Sequence, residues 1–330
     1  MLQRILFSLV SFLLCGYLLV QAQTPRSAID HYEHGSKRFQ KGDLDGAIED
    51  FTKAISISSR LDSNQVTRSS VPPGANGLAA SVGEAREIRV VDPLTANAYT
   101  SRGLARYRKG DVDGAIADYE LAIQINPGLA AAYLNRGNTR YAKGDRDGAL
   151  ADWNRALRID PRLYEAYNNR GLLRANLAYN DRGLLRANLL DIDGALADFN
   201  QAITLNPRLA EAYSNRGWVR RDKGDFDGAI LDFNRALKLN PEMAWAYHGR
   251  GTAWMSKVDF KRAIADFNRA LELDPNVANA YMNRGLVWLL QGNEKEADKD
   301  FERFLALTPD MKDELDRSIK LARELRAEKH

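Results

Sequence analysis

The sequence predicts an all-α repeat protein, and three observations predict it. A phrase beginning Ala-Tyr-x-Asn-Arg-Gly returns along the chain every 34 residues. Each return is followed at fixed offsets by Ala, an aromatic, Ala and Pro. Apolar residues inside the repeats fall at helical intervals: Ala47, Ile48, Phe51, Ala54 and Ile55 step by 1, 3, 3 and 1, which marks one face of a helix.

In the repeat starting at Ala130, the markers Tyr133, Gly137, Ala149, Trp153, Ala156 and Pro161 stand at positions 4, 8, 20, 24, 27 and 32. The same grid is filled from Ala96 (Tyr99, Gly103, Ala115, Tyr119, Ala122, Pro127) and from Ala210 (Tyr213, Gly217, Ala229, Phe233, Ala236, Pro241). It is filled again from Ala244 (Tyr247, Gly251, Ala263, Phe267, Ala270, Pro275) and from Ala278 (Tyr281, Gly285, Ala297, Phe301, Pro309). Gly at 8 and Ala at 20 remove side chains where two helices must approach, the aromatic at 24 fills the space beside them, and the Pro stops the helix.

This grid resembles the tetratricopeptide repeat family, whose signature is specific when it recurs at this period. The resemblance implies a right-handed superhelical solenoid of antiparallel helix pairs, helix A over positions 1 to 14 and helix B over about 17 to 31, with a concave groove.

Taken in order, residues 1–22 read as a secretory signal: Met1 to Arg4 is a short basic start, Ile5 to Val20 is apolar, and Val20-Gln21-Ala22 offers a cleavage point before Gln23. Sixteen apolar residues fall short of the ~20 needed to span a bilayer, so no membrane span is expected in the mature chain; an uncleaved anchor is the alternative. Cys15, the single cysteine, lies inside that run after Leu14 rather than after a small residue, which argues against lipidation. Once cleaved, the chain has no thiol and needs no disulfide in an oxidising compartment.

Residues 28–61 form an atypical first repeat, with Gly35, Ala47, Phe51 and Ala54 on the grid but His31 for the aromatic and Ser59 for the Pro. Residues 62–95 lack the markers and contain Pro72 and Pro73, each costing ~3 kcal/mol inside a helix, so they read as a flexible loop with a short extended piece at Glu87 to Val91. Repeats follow at 96–129, 130–163, 164–209, 210–243, 244–277 and 278–311. The repeat at 164–209 carries helix A twice, Ala166 to Leu177 and then Ala178 to Leu189, a tandem duplication of 12 residues. A continuous helix gains ~18 Å and turns about 120° over that length, so one copy is expected to protrude; a looped-out copy is the alternative. Residues 312–330 form a capping helix with Met311, Leu315, Ile319, Ala322 and Leu325 along one face.

The formal charge of +3 is spread over every repeat, with no basic stripe for nucleic acid. Position 7 reads Arg102, Arg136, Arg182, Arg216, Arg250 and Arg284; position 23 reads Asp118, Asp152, Asp198, Asp232, Asp266 and Asp300. Cations on helix A beside anions on helix B point to a structural ion-pair ladder. Position 11 changes from Arg106, Arg140, Arg186 and Arg220 to Trp254 and Trp288, which suggests a more apolar core toward the C-terminus. Stretches such as Gly110-Asp111-Val112-Asp113-Gly114 resemble half a calcium loop but lack its further ligands; their Asp residues suit helix caps and dipoles. His31 and His34 lie three apart with no matching carboxylate or Cys in sequence, a poor metal site. No nucleophile constellation or phosphate loop stands out, so neither enzyme activity nor a cofactor is expected.

In the resembled family the groove is lined by helix A positions 2, 5, 9, 12 and 13, and here those positions vary while the framework does not. They supply Tyr107, Leu134, Asn138 and Tyr141 in the N-terminal half, then Trp218, Arg221, Trp245, His248, Met255, Met282, Leu286 and Leu289. Aromatics, Met and Arg of this kind anchor interfaces. Family members that clamp a carboxylate carry Lys at position 5; Thr100, Leu134, Ser214, His248 and Met282 stand there, so that activity is not implied. The expectation is an exported protein-binding scaffold with a protein or peptide partner, with a self-associating envelope component and a saccharide-recognition subunit as alternatives.

Overall fold

The computed structural model describes residues 27–66, 93–180 and 191–328. Among the described residues there are helices and turns and no strand. The chain divides into two compact halves, Met1–Pro161 and Arg162–His330. In the first, α1 spans 27–40 and is followed by α2 (Leu44–Val66), α3 (Pro93–Arg108), α4 (Val112–Ile125), α5 (Ala130–Lys143) and α6 (Arg146–Ile159). The second holds α7 (Tyr164–Asn180), α8 (Ile192–Leu205), α9 (Ala210–Asp222), α10 (Phe226–Leu239), α11 (Ala244–Ser256), α12 (Phe260–Leu273), α13 (Ala278–Leu290) and α14 (Glu294–Leu307). A short 3-10 turn (Pro309–Met311) leads into α15 (Lys312–Ala327). Each half is thus a solenoid of antiparallel helix pairs, the odd-numbered helix of each pair being helix A and the even-numbered one helix B.

The markers do what their sizes suggest. A Cβ on Gly137 would stand 2.8 Å from the Trp153 ring, and one on Gly251 would stand 2.7 Å from Phe267. Those aromatics, with Tyr119, Phe199 and Phe233, are among the largest fully buried side chains, each worth up to about 3 kcal/mol of transfer free energy. Helix B starts on a capping Asp: Asp111, Asp145, Asp191 and Asp225 accept from the backbone N–H of Gly114, Gly148, Gly194 and Gly228 at 2.8–2.9 Å, which satisfies a donor the helix itself cannot. The second Asp of the motif ties repeats together. Lys143 reaches Asp113 at 2.7 Å, Lys223 reaches Asp193 at 2.7 Å and Lys257 reaches Asp227 at 2.5 Å, each across to the preceding repeat.

Turns from helix A to helix B use Gly42, Gly110, Gly144, Gly224 and Gly292, all at φ between 83° and 90°. In the repeat from Ala244 the equivalent residue is Val258, held at φ 61°. A β-branched residue is strained in that region.

The ion-pair ladder is present. Arg102, Arg136, Arg216, Arg250 and Arg284 each donate through Nε and Nη2 to both oxygens of Asp118, Asp152, Asp232, Asp266 and Asp300 at 2.5–2.9 Å. The position 11 arginines add a second cation: Arg106 to Asp118 at 3.0 Å, Arg140 to Asp152 at 2.9 Å and Arg220 to Asp232 at 3.0 Å. The free Nη1 of Arg216, Arg250 and Arg284 reaches back to Asn200, Asn234 and Asn268 of the preceding repeat, each at 2.6 Å. Forked pairs of this kind fix register between helices.

Three expectations change here. Asp198 is held by Arg170 (2.9 and 2.6 Å) and Arg174 (2.8 Å), so the first copy of the duplicated helix packs into the stack; Arg182 and Arg186, expected on the ladder, lie outside the described residues. Helix α7 continues through the junction to Asn180, while 181–190, and with them most of the second copy, lie outside the described residues. At the first repeat, His34 occupies position 7 and Asp50 position 23, so they form a rung of the same ladder; Asp50 is held by His34 at 2.7 Å, His31 at 3.3 Å and Arg38 at 3.2 Å, below the usual carboxylate range despite its burial. The two histidines therefore serve a carboxylate rather than each other. Finally, helix α2 runs on to Val66 and α3 starts at Pro93, so the segment read as a loop over 62–95 is helical at both ends; 67–92, including Glu87 to Val91, lie outside the described residues, as do 1–26 with the expected signal.

Helix α15 closes the second half by burying Leu315 and Ala322 against Leu289 and Phe304. Leu325, expected on that inner face, is exposed together with Leu321. No described helix is long and apolar enough to cross a membrane.

Candidate functional site

Four A helices of the second half, α7, α9, α11 and α13, surround a cavity of about 480 Å3. Helix α9 lines it with Asn215, Trp218, Val219 and Asp222, spaced i, i+3, i+4 and i+7 and therefore on one face, with Arg221 at the edge. Helix α11 adds Trp245 and His248, one turn apart, and α13 adds Asn279, Met282 and Asn283. Leu172, Ala175 and Phe199 form the apolar floor.

Aromatic contacts organise the centre. The His248 ring lies 5.4 Å from Trp218, 5.7 Å from Trp245 and 5.9 Å from Phe267. Trp218 also meets Phe233 edge-on at 5.7 Å. That placement depends on Gly249: a Cβ there would come within 2.4 Å of Phe233 and 3.0 Å of Trp218. Most other repeats carry Asn at this position (Asn135, Asn169, Asn215, Asn283), so the loss of a side chain at 249 makes the room that the Trp218 indole uses.

Polar groups are few and paired with care. Arg221 lays its guanidinium over the Trp218 ring at 4.4 Å and donates through Nε to Asp222 at 2.7 Å, with Nη2 bonded to the same oxygen. His248 is 3% exposed. Asn283 Nδ2 lies 3.0 Å from its Nε2. Burial, then the nearby Arg221 charge, lower the imidazole pKa to about 4, against a weaker opposite pull from the Asn279 backbone.

Of the residues singled out in sequence, Trp218, Arg221, Trp245, His248 and Met282 meet at this cavity. Met255 and Leu286 pack at the edges of neighbouring core clusters instead. Leu289 is core, because α15 folds back over α13 and covers it. Leu134 is core as well, as are Thr100, Ser214 and His248 at the same position 5, whereas Met282 there is half-buried. In the first half Asn138 accepts from Trp153 Nε1 at 2.9 Å and Tyr141 leans on the same ring at 5.8 Å, so both support the core aromatic, while Tyr107 is half-buried. Sequence reasoning passed over Gly249 and the three asparagines. Gly249 carried a signal, as a break in the column of Asn at position 6. The described residues hold no cluster of three or more His, Cys, Asp or Glu suited to a metal.

Models of the tetratricopeptide repeat match residues 31–60, 210–243 and 250–326, and a TPR repeat model matches 103–144 and 137–177, together well over half of the chain. No curated relative matches the chain significantly. Among solved structures, a tetratricopeptide repeat protein from Parabacteroides merdae is 22% identical, with 90% of this chain and 99% of that one covered and a TM-score of 0.54. PilW, a type IV pilus biogenesis factor, is 21% identical over 65% of this chain and 94% of its own, at TM-score 0.55. The Cut9–Hcn1 hetero-tetramer of the APC/C matches at 18% identity over 94% of this chain and 55% of that one, at TM-score 0.59. At these identities the likeness is one of fold.

Proposed function

The chain belongs to the tetratricopeptide repeat family, and on that premise we propose that it is an exported, non-enzymatic scaffold that holds a segment of another protein in the pocket of its second half. One observation carries the reading: Trp218, Arg221, Trp245, His248 and Met282, chosen because they depart from the repeat, line a single cavity. At about 480 Å3 it takes one or two large side chains with their backbone, in the range of pockets that bind small ligands. The mixture of indole faces, a thioether and amides favours a peptide, since such surfaces supply area and hydrogen bonds together. Export is supported by the basic start, apolar run and Val20-Gln21-Ala22 of the first 22 residues.

Trp245 is the clean probe of the site. It is 53% exposed, so its truncation leaves the core intact, whereas Trp218 packs on Phe233 and its loss would damage the fold as well. Panning a displayed random-peptide library on the chain, with Trp245→Ala as counter-target, is expected to enrich peptides that bind only the unaltered protein. If no peptide is enriched, or if those enriched bind both proteins equally, the pocket is not the peptide site. N-terminal sequencing of the protein recovered from an exporting host tests the other half of the reading: Gln23 as first residue is expected, and an intact Met1 would contradict it.

A further inference from the structure

Helix α15 keeps the register of the A helices before it. In α11 and α13 the residues at positions 3 and 10 are buried against the preceding helix B: Ala246 and Ala253, then Ala280 and Val287. Helix α15 buries Leu315 and Ala322, also seven apart, with Phe301 and Phe304 of α14 in the same way. Ala322 shares its core cluster with Leu289, position 12 of α13, as Val219 shares one with Ala175, position 12 of α7. Leu315 and Ala322 are therefore positions 3 and 10, which places Leu321 at position 9 and Leu325 at position 13. On α9 those two positions are Trp218 and Asp222, both in the cavity wall.

The cap helix thus carries the same face one helix further, and what it presents there is apolar. Leu321 is 57% exposed and Leu325 46%. The same positions of α13 hold Leu286 and Leu290, both half-buried, and Met282, one turn before Leu286, lines the cavity. An apolar strip therefore runs from the cavity to the last helix. Arg317, one turn before Leu321 on the same face, is exposed and takes part in no ion pair. A strip of this kind on a soluble surface marks an interaction site.

Resting on the reading of the cavity as a peptide site, we propose that α15 is the last wall of that site and that the partner segment is an amphipathic helix: one apolar residue sits against Met282, another seven residues on rests on Leu321 and Leu325, and an acidic residue lies beside Arg317. Spacing selects a helix. Packed neighbours such as α13 and α15 lie about 8–10 Å apart. Residues seven apart on a helix share a face at about 10.5 Å, whereas same-face residues of an extended chain recur at about 6.7 and 13 Å. Charge selects the acidic residue, because Arg221 and Asp222 in the cavity are already bonded to each other while Arg317 has no partner. Two exposed leucines offer far less area than a stable contact between two copies of the chain requires, which favours a segment that also enters the cavity.

The test is to pan a displayed library of peptides long enough for two heptads on the unaltered chain, and to measure the enriched peptides on Trp245→Ala, on Leu321→Ser with Leu325→Ser, and on Arg317→Glu. Both leucines are exposed, so the double variant is expected to keep the far-UV circular dichroism of the unaltered chain. The enriched peptides are expected to bind the leucine variant at least about tenfold more weakly, the worth of part of one buried leucine, and to gain helical circular dichroism on binding. Arg317→Glu is expected to weaken them about fivefold, with binding restored when the acidic residue of the peptide is changed to Lys. Should the leucine variant misfold, the Arg317 charge exchange and the helical gain on the unaltered chain decide the matter. Peptides that need Trp245 but bind the leucine variant unchanged would overturn this proposal and leave the cavity reading intact. Peptides that need the leucines but not Trp245 would separate the strip from the cavity and overturn the joint site. Binding without a gain of helix would overturn the helical occupant. Dimers in sedimentation that the leucine variant abolishes would assign the strip to a second copy, and failure to enrich any peptide would overturn both readings.

Discussion

Removing Asp232 should cost more than removing Asp266 or Asp300, and the reason lies in what it leaves behind. Asp232 is 3% exposed and accepts from Arg216 Nε at 2.9 Å, Arg216 Nη2 at 2.6 Å and Arg220 Nη1 at 3.0 Å. Asp232→Ala strands two guanidinium groups, one of them largely out of water. Arg216 keeps its bond to Asn200, and Arg220 keeps a 3.3 Å contact with the Gly228 carbonyl and a distant ion pair with Asp225. Breaking a buried pair costs ~3–5 kcal/mol, and the partial exposure of Arg220 places the expectation near the lower end, about 3 kcal/mol. Asp266 has one arginine, Arg250, because Trp254 stands at position 11, so Asp266→Ala is expected to cost less, about 2 kcal/mol. The double change Arg216→Met with Asp232→Leu is expected to fall well short of the sum of those two single changes, since only the partly exposed Arg220 is then left without its carboxylate. Urea unfolding followed by far-UV circular dichroism measures the unaltered chain, Asp232→Ala, Asp266→Ala, the double variant and its two single variants. Amide exchange on α9 and α10 localises the effect, which matters because repeat arrays need not unfold in one step. A loss below ~1 kcal/mol for Asp232→Ala, or strict additivity in the double variant, would refute the stranded-charge argument.

Three further outcomes follow from other residues. His248 has its folded pKa lowered to about 4 from 6.5, so the unfolded chain takes up the proton first: stability is greatest above pH 6.5 and declines as pH falls toward 4, by up to roughly 3 kcal/mol, and thermal melts at pH 7, 5.5 and 4.5 should show a slope that His248→Phe reduces. An identical slope in that variant would assign the effect elsewhere. Gly251→Ala places a methyl 2.7 Å from Phe267 and 3.3 Å from the Ala263 carbonyl, which cannot yield, and should destabilise by ~1–3 kcal/mol in urea; a neutral result would show that the helix pair can spread. Val258→Gly relieves a β-branched residue at φ 61° and is expected to gain about 0.5–1 kcal/mol after allowing for the freer unfolded chain, read as a raised melting temperature; no gain would mean that the turn carries no strain.

The fold was legible because Gly at 8, Ala at 20 and the aromatic at 24 act within one helix pair, and each pair repeats the same local solution. The ladder was legible as a pattern of charges, yet the rung at Asp198 was assigned to Arg182, where Arg170 holds it. The two copies of helix A differ only at Asn169 and Asp181, so no local preference separates them; the choice is made by which copy lies against Asp198. The first rung was missed because His34 and Asp50 were read as exceptions, although their positions are those of Arg and Asp elsewhere. Half the pocket was visible as departures from the repeat at Trp218, Trp245 and His248. Asn215 and Asn283 were not, because Asn at position 6 recurs and resembles framework, and Asn279 was passed over although it stands at groove position 2. Leu289 was misjudged because its surroundings depend on α15 docking, a contact that no single repeat encodes.

The rung between α7 and α8 joins residues 28 apart where the other rungs join residues 16 apart, and its bond lengths are the same. Even if all twelve added residues went into a free loop, closing it would cost only ~0.5 kcal/mol more, because closure entropy grows with the logarithm of length. The described contacts that define this repeat lie within the first copy, before Leu177, on one helix and after Asp191 on the other. Such a copying error is therefore nearly silent to the stack. An array of this design can lengthen between its two helices without re-solving its packing, which makes that junction the natural place for the chain to acquire new parts, or for an engineer to insert them.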